Sequence, residues 1–420
     1  MIEFYYILLI FIRSCLRLFN QELQTIMLTT ILLFIVILGL LVFVHELGHF
    51  TAAKKLKTGV EEFGFGFPPR MIGVYKDQNG KWTKVFKKTP VFAKPEDGGP
   101  KIIPTIYSIN WVPLGGFVKI TGEDGEDNSS NSFSSKKIWE RAVILVAGVT
   151  MNVVLAAVIL SIGFSVGLPR VLDSDTNGLN IKDKSVQIVS VVKGSTAEEA
   201  GLQAGDEILA VDGQPYNLEF TANYLTKKVG EDVVYRLKRS GGDTFEKTLI
   251  PQILKETGKG GVGIGIVEVG IVSYPWYQAI GKGVTETGYY IKEIAVAFLG
   301  LLKGFIVGTA NTEDLSGPVG IAVLTGRVAR LGFAYLMQFA AILSINLAII
   351  NIFPFPALDG GRLLFLLIEK IRGKAINQKI ENIVNNLGFG LLMLLVVVIT
   401  YKDFVKFGDK FAQIYHTIIK

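Results

Sequence analysis

Four long apolar runs dominate the chain, and polar segments separate them. A helix needs about 20 residues to cross the hydrocarbon core of a bilayer. By that measure the runs predict four membrane spans, at residues 27–50, 141–168, 331–356 and 386–403. The pattern therefore predicts a multi-pass α-helical membrane protein with four transmembrane helices.

A fifth, weaker apolar run lies within residues 275–310. It carries Lys292, Glu293 and Lys303, which leave only a short apolar centre. A helix that mixes charged and apolar residues in this way lies in the membrane interface rather than across it. We therefore expect residues 275–310 to form an interfacial amphipathic helix.

Two polar stretches between the spans differ in character. Residues 51–140 are rich in glycine, lysine and aromatic residues, which predicts short strands and turns in a membrane-associated β-hairpin loop. The acidic segment 123–135 within it is predicted to be solvated and flexible. Residues 183–270 contain alternating strands and two short helical stretches, so they predict a small β-rich α+β domain.

The two ends of the chain carry weaker signals. Residues 1–26 form an N-terminal extension whose apolar part, Phe4–Ile12, is too short to span a membrane and lacks a cleavage site. Either Met27 is the true start, or residues 1–26 form a helix that lies on the membrane surface. Residues 404–420 are predicted to be a C-terminal tail.

Charge indicates the orientation of the chain. The net charge of +6 over 420 residues is modest, and much of the lysine and arginine lies in the segments flanking the spans. Since basic loops stay in the cytoplasm, residues 51–140 and the connection between spans three and four are predicted to be cytoplasmic. The β-rich domain is then extracytoplasmic, and no nucleic-acid partner is expected. Cys15 is the only cysteine, so an intrachain disulfide and a cysteine zinc site are excluded.

The first span ends in His45-Glu46-Leu47-Gly48-His49, after a run from Met27 to Val44 without a charged residue. On a helix this spacing puts both imidazoles on one face, where they can ligate zinc, with Glu46 as general base. The chain has three histidines, and two of them are here.

A hydrolytic zinc needs a third protein ligand, and Asp359 is the candidate because it ends the third span at the membrane edge. The preceding Pro354 and Pro356 interrupt helix geometry, which is tolerated at membrane depth only in a cavity or inside protein. His45 and Asp359 share a depth only if spans one and three run in the same direction. That condition holds if residues 275–310 do not cross.

A peptide bond inside a membrane helix must be unwound before it can be cleaved. The glycine-rich strands after span one and the broken Asn351–Pro356 segment could hold a substrate extended by strand addition. In span two, Gly148 and Asn152 place a small and a polar residue on one helix face, a pair that favours close helix packing and interhelical hydrogen bonds.

Together these features resemble the site-2 proteases, a family of intramembrane zinc metalloproteases, and specifically the bacterial RseP/RasP-like branch that regulates sigma factors. Residues 195–209 also look like a PDZ domain signature. The resemblance extends from about Met27 over nearly the whole chain. The segments that carry it are His45–His49, Pro113–Val118, Gly148 and Asn152, Leu315–Ile321, and Asn351–Gly361.

The resemblance implies one zinc ion per chain, held by His45, His49 and Asp359, with Glu46 catalytic. It implies that Asn351 contacts substrate backbone; Pro354, Pro356, Gly148 and Asn152 complete the predicted substrate-binding set. It also implies an inserted extracytoplasmic PDZ domain and a location in the bacterial cytoplasmic (inner) membrane. The expected substrates are single-span membrane proteins, such as anti-sigma factors already cut by an upstream site-1 protease, or signal-peptide remnants.

Two other classes of function are alternatives to a protease. A metal transporter with an intramembrane His and Asp relay would need further polar residues along several spans, and spans two and four have very few. A proteolytically inactive membrane scaffold with a PDZ domain would have lost Glu46 or a ligand, and none is lost.

The interfacial placement of residues 275–310 can be tested by cysteine labelling. In a Cys15→Ala background, Tyr289→Cys and Val307→Cys are expected to react with a membrane-impermeant maleimide from the same side, since a helix in the interface keeps both ends there. Reaction from opposite sides would contradict the predicted arrangement of the spans.

Overall fold

The computed structural model describes residues 21–87, 104–123, 129–172, 181–216, 218–239, 244–254, 258–309 and 316–419. Most of the N-terminal extension, residues 1–20, lies outside this range, as does the part of the predicted β-hairpin loop at residues 88–103. The chain divides into two compact units. Unit 1 is residues 1–158, 285–326 and 340–420, and unit 2 is residues 159–284 and 327–339.

Among the described residues, four helices are long and apolar enough to cross a membrane. They are helices α1 (Gln21–Lys55), α2 (Ile138–Val166), α7 (Phe333–Ile352) and α9 (Gln378–Ile419). The apolar stretches within α1 and α9 are Leu28–Lys55 and Gln378–Val405. The four predicted spans fall on these helices, so the chain has the architecture expected of a membrane protein.

The third and fourth spans differ in detail from the sequence prediction. Gly332 has φ +121°, a backbone conformation that side-chain-bearing residues rarely adopt, and it separates α7 from helix α6 (Pro318–Leu331). The helix of the third span therefore starts later than predicted and ends at Ile352, before the prolines. Helix α9 begins before the predicted fourth span and continues through residues 404–419, which were predicted to be a tail.

Three strands form the β region of unit 1: β1 (Val60–Lys76), β2 (Trp82–Val85) and β3 (Ile106–Ile120), in the order β2-β1-β3. The long strands bend, so Phe63 of β1 has partners in β3 on both sides, Tyr107 and Val118. Near the bend Phe67 and Trp111 are exposed, Trp111 by 62%. An exposed aromatic tip of this kind suits a membrane interface.

The segment 123–135 was predicted to be solvated and flexible, and this is wrong for two of its described residues. Ser132 is fully buried and Phe133 is 8% exposed, within a short 3-10 helix, Phe133–Ser135. Phe133 packs into the apolar cluster between α1 and α2, which outweighs the polar composition around it. Residues 124–128 lie outside the described range.

Unit 2 contains the β-rich domain predicted from the sequence. Its main sheet has the strand order β4-β12-β5-β6-β8-β9, and β7 pairs with β6. The strands are β4 (Leu168–Val171), β5 (Ile181–Val191), β6 (Glu207–Val211), β7 (Gln214–Pro215), β8 (Val233–Lys238), β9 (Thr244–Leu249), β10 (Gln252–Ile253), β11 (Gly260–Gly261) and β12 (Ile264–Val272). Two short helices, α3 (Thr196–Glu199) and α4 (Leu218–Lys227), accompany them.

Alternate residues of the strands form the core of this domain. Along β8 the residues Val233, Tyr235 and Leu237 are buried while the residues between them are exposed, the two-residue alternation of a half-buried strand. At the edge of the core, buried Asp206 accepts hydrogen bonds from the backbone of Gln203 and from Arg239, whose Nη2 lies 2.7 Å from Oδ2. These partners compensate the cost of burying the carboxylate.

Helix α5 (Trp276–Val307) covers the segment predicted to be an interfacial helix. It is not among the four span-like helices found in the described part of the chain. Its placement relative to a membrane therefore stays a prediction.

Two glycines seat the last short helix, α8 (Asp359–Arg372), against the end of α7. A Cβ on Gly360 would overlap the backbone carbonyls of Ile352 and Phe353, and one on Gly361 would overlap the carbonyl of Phe355. The Gly-Gly pair thus lets the start of α8 pack against the non-helical turn that follows α7. Asp359 is the first residue of α8, so this packing fixes its position.

We expect Gly360→Ala to lower the thermal stability and the folded yield of the detergent-solubilised protein, because its Cβ has no room between two carbonyls. The matched control is Gly390→Ala in α9, where an added Cβ meets nothing within 4 Å. An Ala at that position is expected to be neutral or slightly stabilising. Equal stability of the two variants would contradict the packing described here.

Candidate metal centre

His45 and His49 lie one turn apart on α1 and turn their rings to the same point. Their Nε2 atoms are 3.1 Å apart, and the residues are only 6% and 5% exposed. The four-residue spacing of a helix brings the two side chains to one face, which is the geometry that the sequence predicts.

Asp359 reaches this point from the other end of the chain. Its Oδ2 lies 3.1 Å from Nε2 of His45 and 3.3 Å from Nε2 of His49. In the described residues these three side chains form the one cluster that could hold a metal ion.

The three donor atoms fit a tetrahedral zinc ion. Zinc binds imidazole nitrogen and carboxylate oxygen at about 2.0–2.2 Å, which puts neighbouring tetrahedral ligands roughly 3.3 Å apart. The observed separations are 3.1, 3.1 and 3.3 Å. Apart from these two imidazoles, the buried Oδ2 of Asp359 has no hydrogen-bond partner in the described structure, as expected of an oxygen that binds a cation.

Helix α2 lies behind the two histidines. A stripe of three residues on α2, spaced by four, contacts them: Ile144, Gly148 and Asn152. The backbone carbonyl of Ile144 lies 2.8 Å from Nδ1 of His49. One turn later stands Gly148, and one turn after that Asn152, whose Nδ2 lies 3.3 Å from Nδ1 of His45. A hydrogen bond at Nδ1 leaves Nε2 free to bind a metal and sets the orientation of the ring.

Glycines make this approach of α2 possible. A Cβ on Gly148 would overlap ring atoms of both His45 and His49, and a Cβ on Gly48 would overlap the backbone of Ala147 and Gly148. The backbones of the two helices are therefore in close contact where each carries a glycine, the kind of packing that small residues allow between membrane helices.

Glu46 stands beside the ligands on α1 and faces the β region. Its Oε2 accepts a hydrogen bond of 3.2 Å from the backbone N–H of Val118 in β3. Gly115 and Gly116 of β3 pack against Val42 and Phe43 of α1, where a Cβ on either glycine would be crowded. Strand β3 therefore runs directly along the helix that carries the candidate base.

The predicted substrate-binding residues are only partly brought to the centre. Asn351 lies in the last turn of α7 and is half-buried, Pro354 is exposed, and Pro356 is half-buried in the turn before α8. The structure contains no substrate, so their predicted contacts stay predictions. Gly148 and Asn152 contact the histidine pair instead, as described above.

Several supporting groups were not singled out from the sequence. Asn385 of α9 accepts a hydrogen bond of 3.3 Å from the backbone N–H of Ala357, and Gly388 makes room for Pro356. Ser344 of α7 donates to the backbone oxygen of Asn152 at 2.8 Å. Ser344 carries a signal, since it is a polar residue inside the predicted third span. Asn385 lies just before the predicted fourth span in a polar stretch, so its residue type gives no signal. The Ile144 carbonyl and the Val118 N–H carry none, because every residue has those groups.

Two ion pairs connect α8 to other segments. Arg141 of α2 lies 2.5 Å from Glu369, and Arg362 pairs with Glu123. These residues line a cavity of about 120 Å³ together with Glu381 of α9. The pairs link α8 to α2 and to the end of β3, which adds to the fixed position of Asp359.

A family model described as peptidase family M50 matches residues 33–100 and 97–395. The chain belongs to peptidase family M50. The match covers both the histidine pair and Asp359, and it makes the protein a metalloprotease. The transporter and the inactive scaffold are thereby disfavoured, and the predicted site-2 protease family of RseP/RasP-like enzymes is confirmed.

Similar proteins of known name agree with this assignment. The chain is 30% identical to zinc metalloprotease RasP of Geobacillus kaustophilus, over 90% of this chain and 99% of that protein. It is 31% identical to the regulator of sigma-W protease RasP of Bacillus subtilis, over 89% of this chain and 98% of that protein. Among solved structures it is similar to the PDZ domain of the SdrC-like protein from Listeria innocua, at 30% identity and a TM-score of 0.18, over 20% of this chain and 92% of that one.

We expect Gly148→Ala to weaken zinc binding by about tenfold or more, since its Cβ would displace both imidazoles and loss of ligand orientation costs 10–100-fold in affinity. Zinc content per purified chain, measured by mass spectrometry after dialysis against a chelator, reports the change. Gly300→Ala in α5 is the control, because an added Cβ there meets nothing within 4 Å. Equal zinc retention in both variants would show that Gly148 does not shape the centre.

Proposed function

We propose that this M50 metalloprotease is an intramembrane zinc endopeptidase that cleaves peptide bonds within or next to transmembrane segments of single-span membrane proteins. The observation that carries the proposal is the triangle of His45, His49 and Asp359 with Glu46 beside it, built on helices apolar enough to cross a membrane. A hydrolytic centre at such a place meets membrane-embedded peptide rather than soluble protein.

His45, His49 and Asp359 would hold one zinc ion per chain, and three protein ligands leave a fourth position open, as in catalytic rather than structural zinc sites. When bound, zinc lowers the pKa of a water molecule to about 7 and polarises the scissile carbonyl. The protein's own part is to keep the three donor atoms fixed, through the α2 stripe behind the histidines and the glycine-packed start of α8.

Glu46 is the proposed general base. Its carboxylate takes a proton from the attacking water and later passes that proton to the leaving amine. The N–H of Val118 holds one oxygen, Oε2, which leaves Oε1 as the atom that can carry the proton. The role requires Glu46 to lie beside the ligands, and it shares α1 with His45 and His49 at the spacing of the zinc-protease motif.

Strand β3 is the proposed cradle for the substrate. A substrate must be extended to expose its carbonyl, and an extended peptide binds by adding to the edge of a sheet. The 113–118 segment of β3 runs along α1 beside Glu46, so a peptide added there would lie next to the metal centre. Asn351, Pro354 and Pro356 are proposed to contact substrate from the end of α7.

The loop charges support a proposed orientation of the chain in the membrane. We place residues 51–140 and the α7–α9 connection on the cytoplasmic side of the bacterial cytoplasmic (inner) membrane, and the β-rich domain on the other side. We propose that this domain is a PDZ domain that admits substrates whose extracytoplasmic part has been shortened. An upstream site-1 protease would make that first cut.

The substrate class is suggested by a relative. The Bacillus subtilis protein is named a regulator of sigma-W protease, and the present chain covers 98% of its length. We therefore propose anti-sigma-factor-like proteins as substrates, with signal-peptide remnants as a second class that shares a single apolar helix.

Glu46→Gln tests the mechanism. We expect it to lower cleavage of a tagged single-span substrate in detergent with zinc by about 10²–10⁴-fold, the usual contribution of a general base. Zinc content is expected to be unchanged, since Glu46 is not a ligand. Glu293→Gln, at an exposed position of α5, is the control and is expected to cleave like the wild type. Undiminished cleavage by Glu46→Gln would rule out the mechanism.

A further inference from the structure

Asn152 of α2 is fully buried, and the proposed catalytic step gives its side chain no role. Its Nδ2 lies 3.3 Å from Nδ1 of His45, and its Oδ1 has no hydrogen-bond partner in the described structure. A buried amide oxygen without a donor is costly, so its position calls for a physical reason.

The chemistry of His45 supplies that reason. A neutral imidazole carries one proton, and a ring that binds metal through Nε2 must carry it on Nδ1. Nδ1 then needs an acceptor. A half-turn of the Asn152 amide exchanges its nitrogen and oxygen, and places Oδ1 where it accepts the Nδ1 proton. The same half-turn gives the oxygen a partner and moves the amide N–H groups to the side where the oxygen had none.

A hydrogen bond from α7 holds the backbone of Asn152 in place. Ser344 of α7 donates to the backbone oxygen of Asn152 at 2.8 Å, and both residues are fully buried. Two turns earlier on the same face of α2, the carbonyl of Ile144 faces Nδ1 of His49 at 2.8 Å. Helix α2 thus offers a carbonyl acceptor to His49 and, with the half-turn of the Asn152 amide, an amide oxygen to His45.

We propose that Asn152 is a positioning residue, which orients the His45 ring and keeps its proton on Nδ1 so that Nε2 faces the zinc ion. This inference rests on the proposed metal centre. It assigns to Asn152 a task inside the centre in place of the substrate contact expected from the sequence. An Asp at this position can still accept from Nδ1, whereas a Leu of similar size cannot.

The test compares zinc affinities of the purified full-length protein in detergent, measured by competition with a chromogenic chelator. We expect Asn152→Leu to weaken zinc binding by about 10–100-fold, the usual cost of losing a ligand's hydrogen-bond partner. Asn152→Asp is expected to stay within a few-fold of the wild type. Asn152→Ala is expected to weaken zinc binding to the same extent as Asn152→Leu, but it changes the packing differently. If one of the two variants misfolds, zinc affinity can still be measured on the other.

Asn346→Leu is the matched control. Asn346 lies on α7 and donates to the carbonyl of Ile342 on its own helix, so its loss is expected to leave zinc affinity unchanged. If Asn152 served only helix packing, the buried charge of Asn152→Asp would harm folding more than Asn152→Leu does, with zinc affinity of the folded protein unchanged in both. That order of effects would overturn the proposal.

Cleavage kinetics distinguish a positioning role of Asn152 from a direct contact with substrate. A raised KM at unchanged zinc affinity in Asn152→Leu would identify a substrate contact and would also overturn the proposal. The zinc measurement needs no cleavage, so it stands apart from the proposed protease mechanism. Loss of zinc affinity in Asn152→Leu together with full activity of Glu46→Gln would uphold the role of Asn152 and reject the mechanism.

Discussion

The close crossing of helices α1 and α2 is the constraint on which the rest of the centre depends. Gly48 and Gly148 let the two backbones approach until α2 lies directly behind both histidine rings. At a larger separation the Ile144 carbonyl could not reach His49, and Asn152 could not reach His45. In a membrane, where apolar burial adds little between helices, such packing and interhelical hydrogen bonds drive association. The contact that joins the helices is therefore also the one that orients the ligands.

The position of the third candidate ligand, Asp359, depends on a second set of close glycine contacts. Gly360 and Gly361 place α8 against the turn after α7, and Asn385 ties that turn to α9. The Arg141–Glu369 pair joins α8 to α2. Asp359 is thus fixed by groups on several helices, although it contributes one oxygen. A rigid set of ligands suits a centre that keeps one position open for a reacting water.

The sequence predicts the parts of this structure that depend on regular residue spacing or on the length of an apolar run. The four-residue spacing of His45 and His49, the apolar length of the spans and the alternation along β8 all belong to this class. Asp359 could be inferred because an ionisable residue at the membrane edge is rare. The break at Gly332, helix α8 and the burial of Phe133 were missed, since each depends on contacts between distant segments. Backbone partners such as the Val118 N–H have no residue signature, so only coordinates reveal them.

The order of the ligands along the chain has a consequence for timing. His45 and His49 are made early, whereas Asp359 follows His49 by 310 residues, 359 minus 49. At the usual pace of synthesis, about 5–20 residues per second, that interval lasts roughly 15–60 s. During it the nascent chain holds two of the three candidate ligands. The set is complete only after Asp359 has been added, when most of the 420 residues have been synthesised.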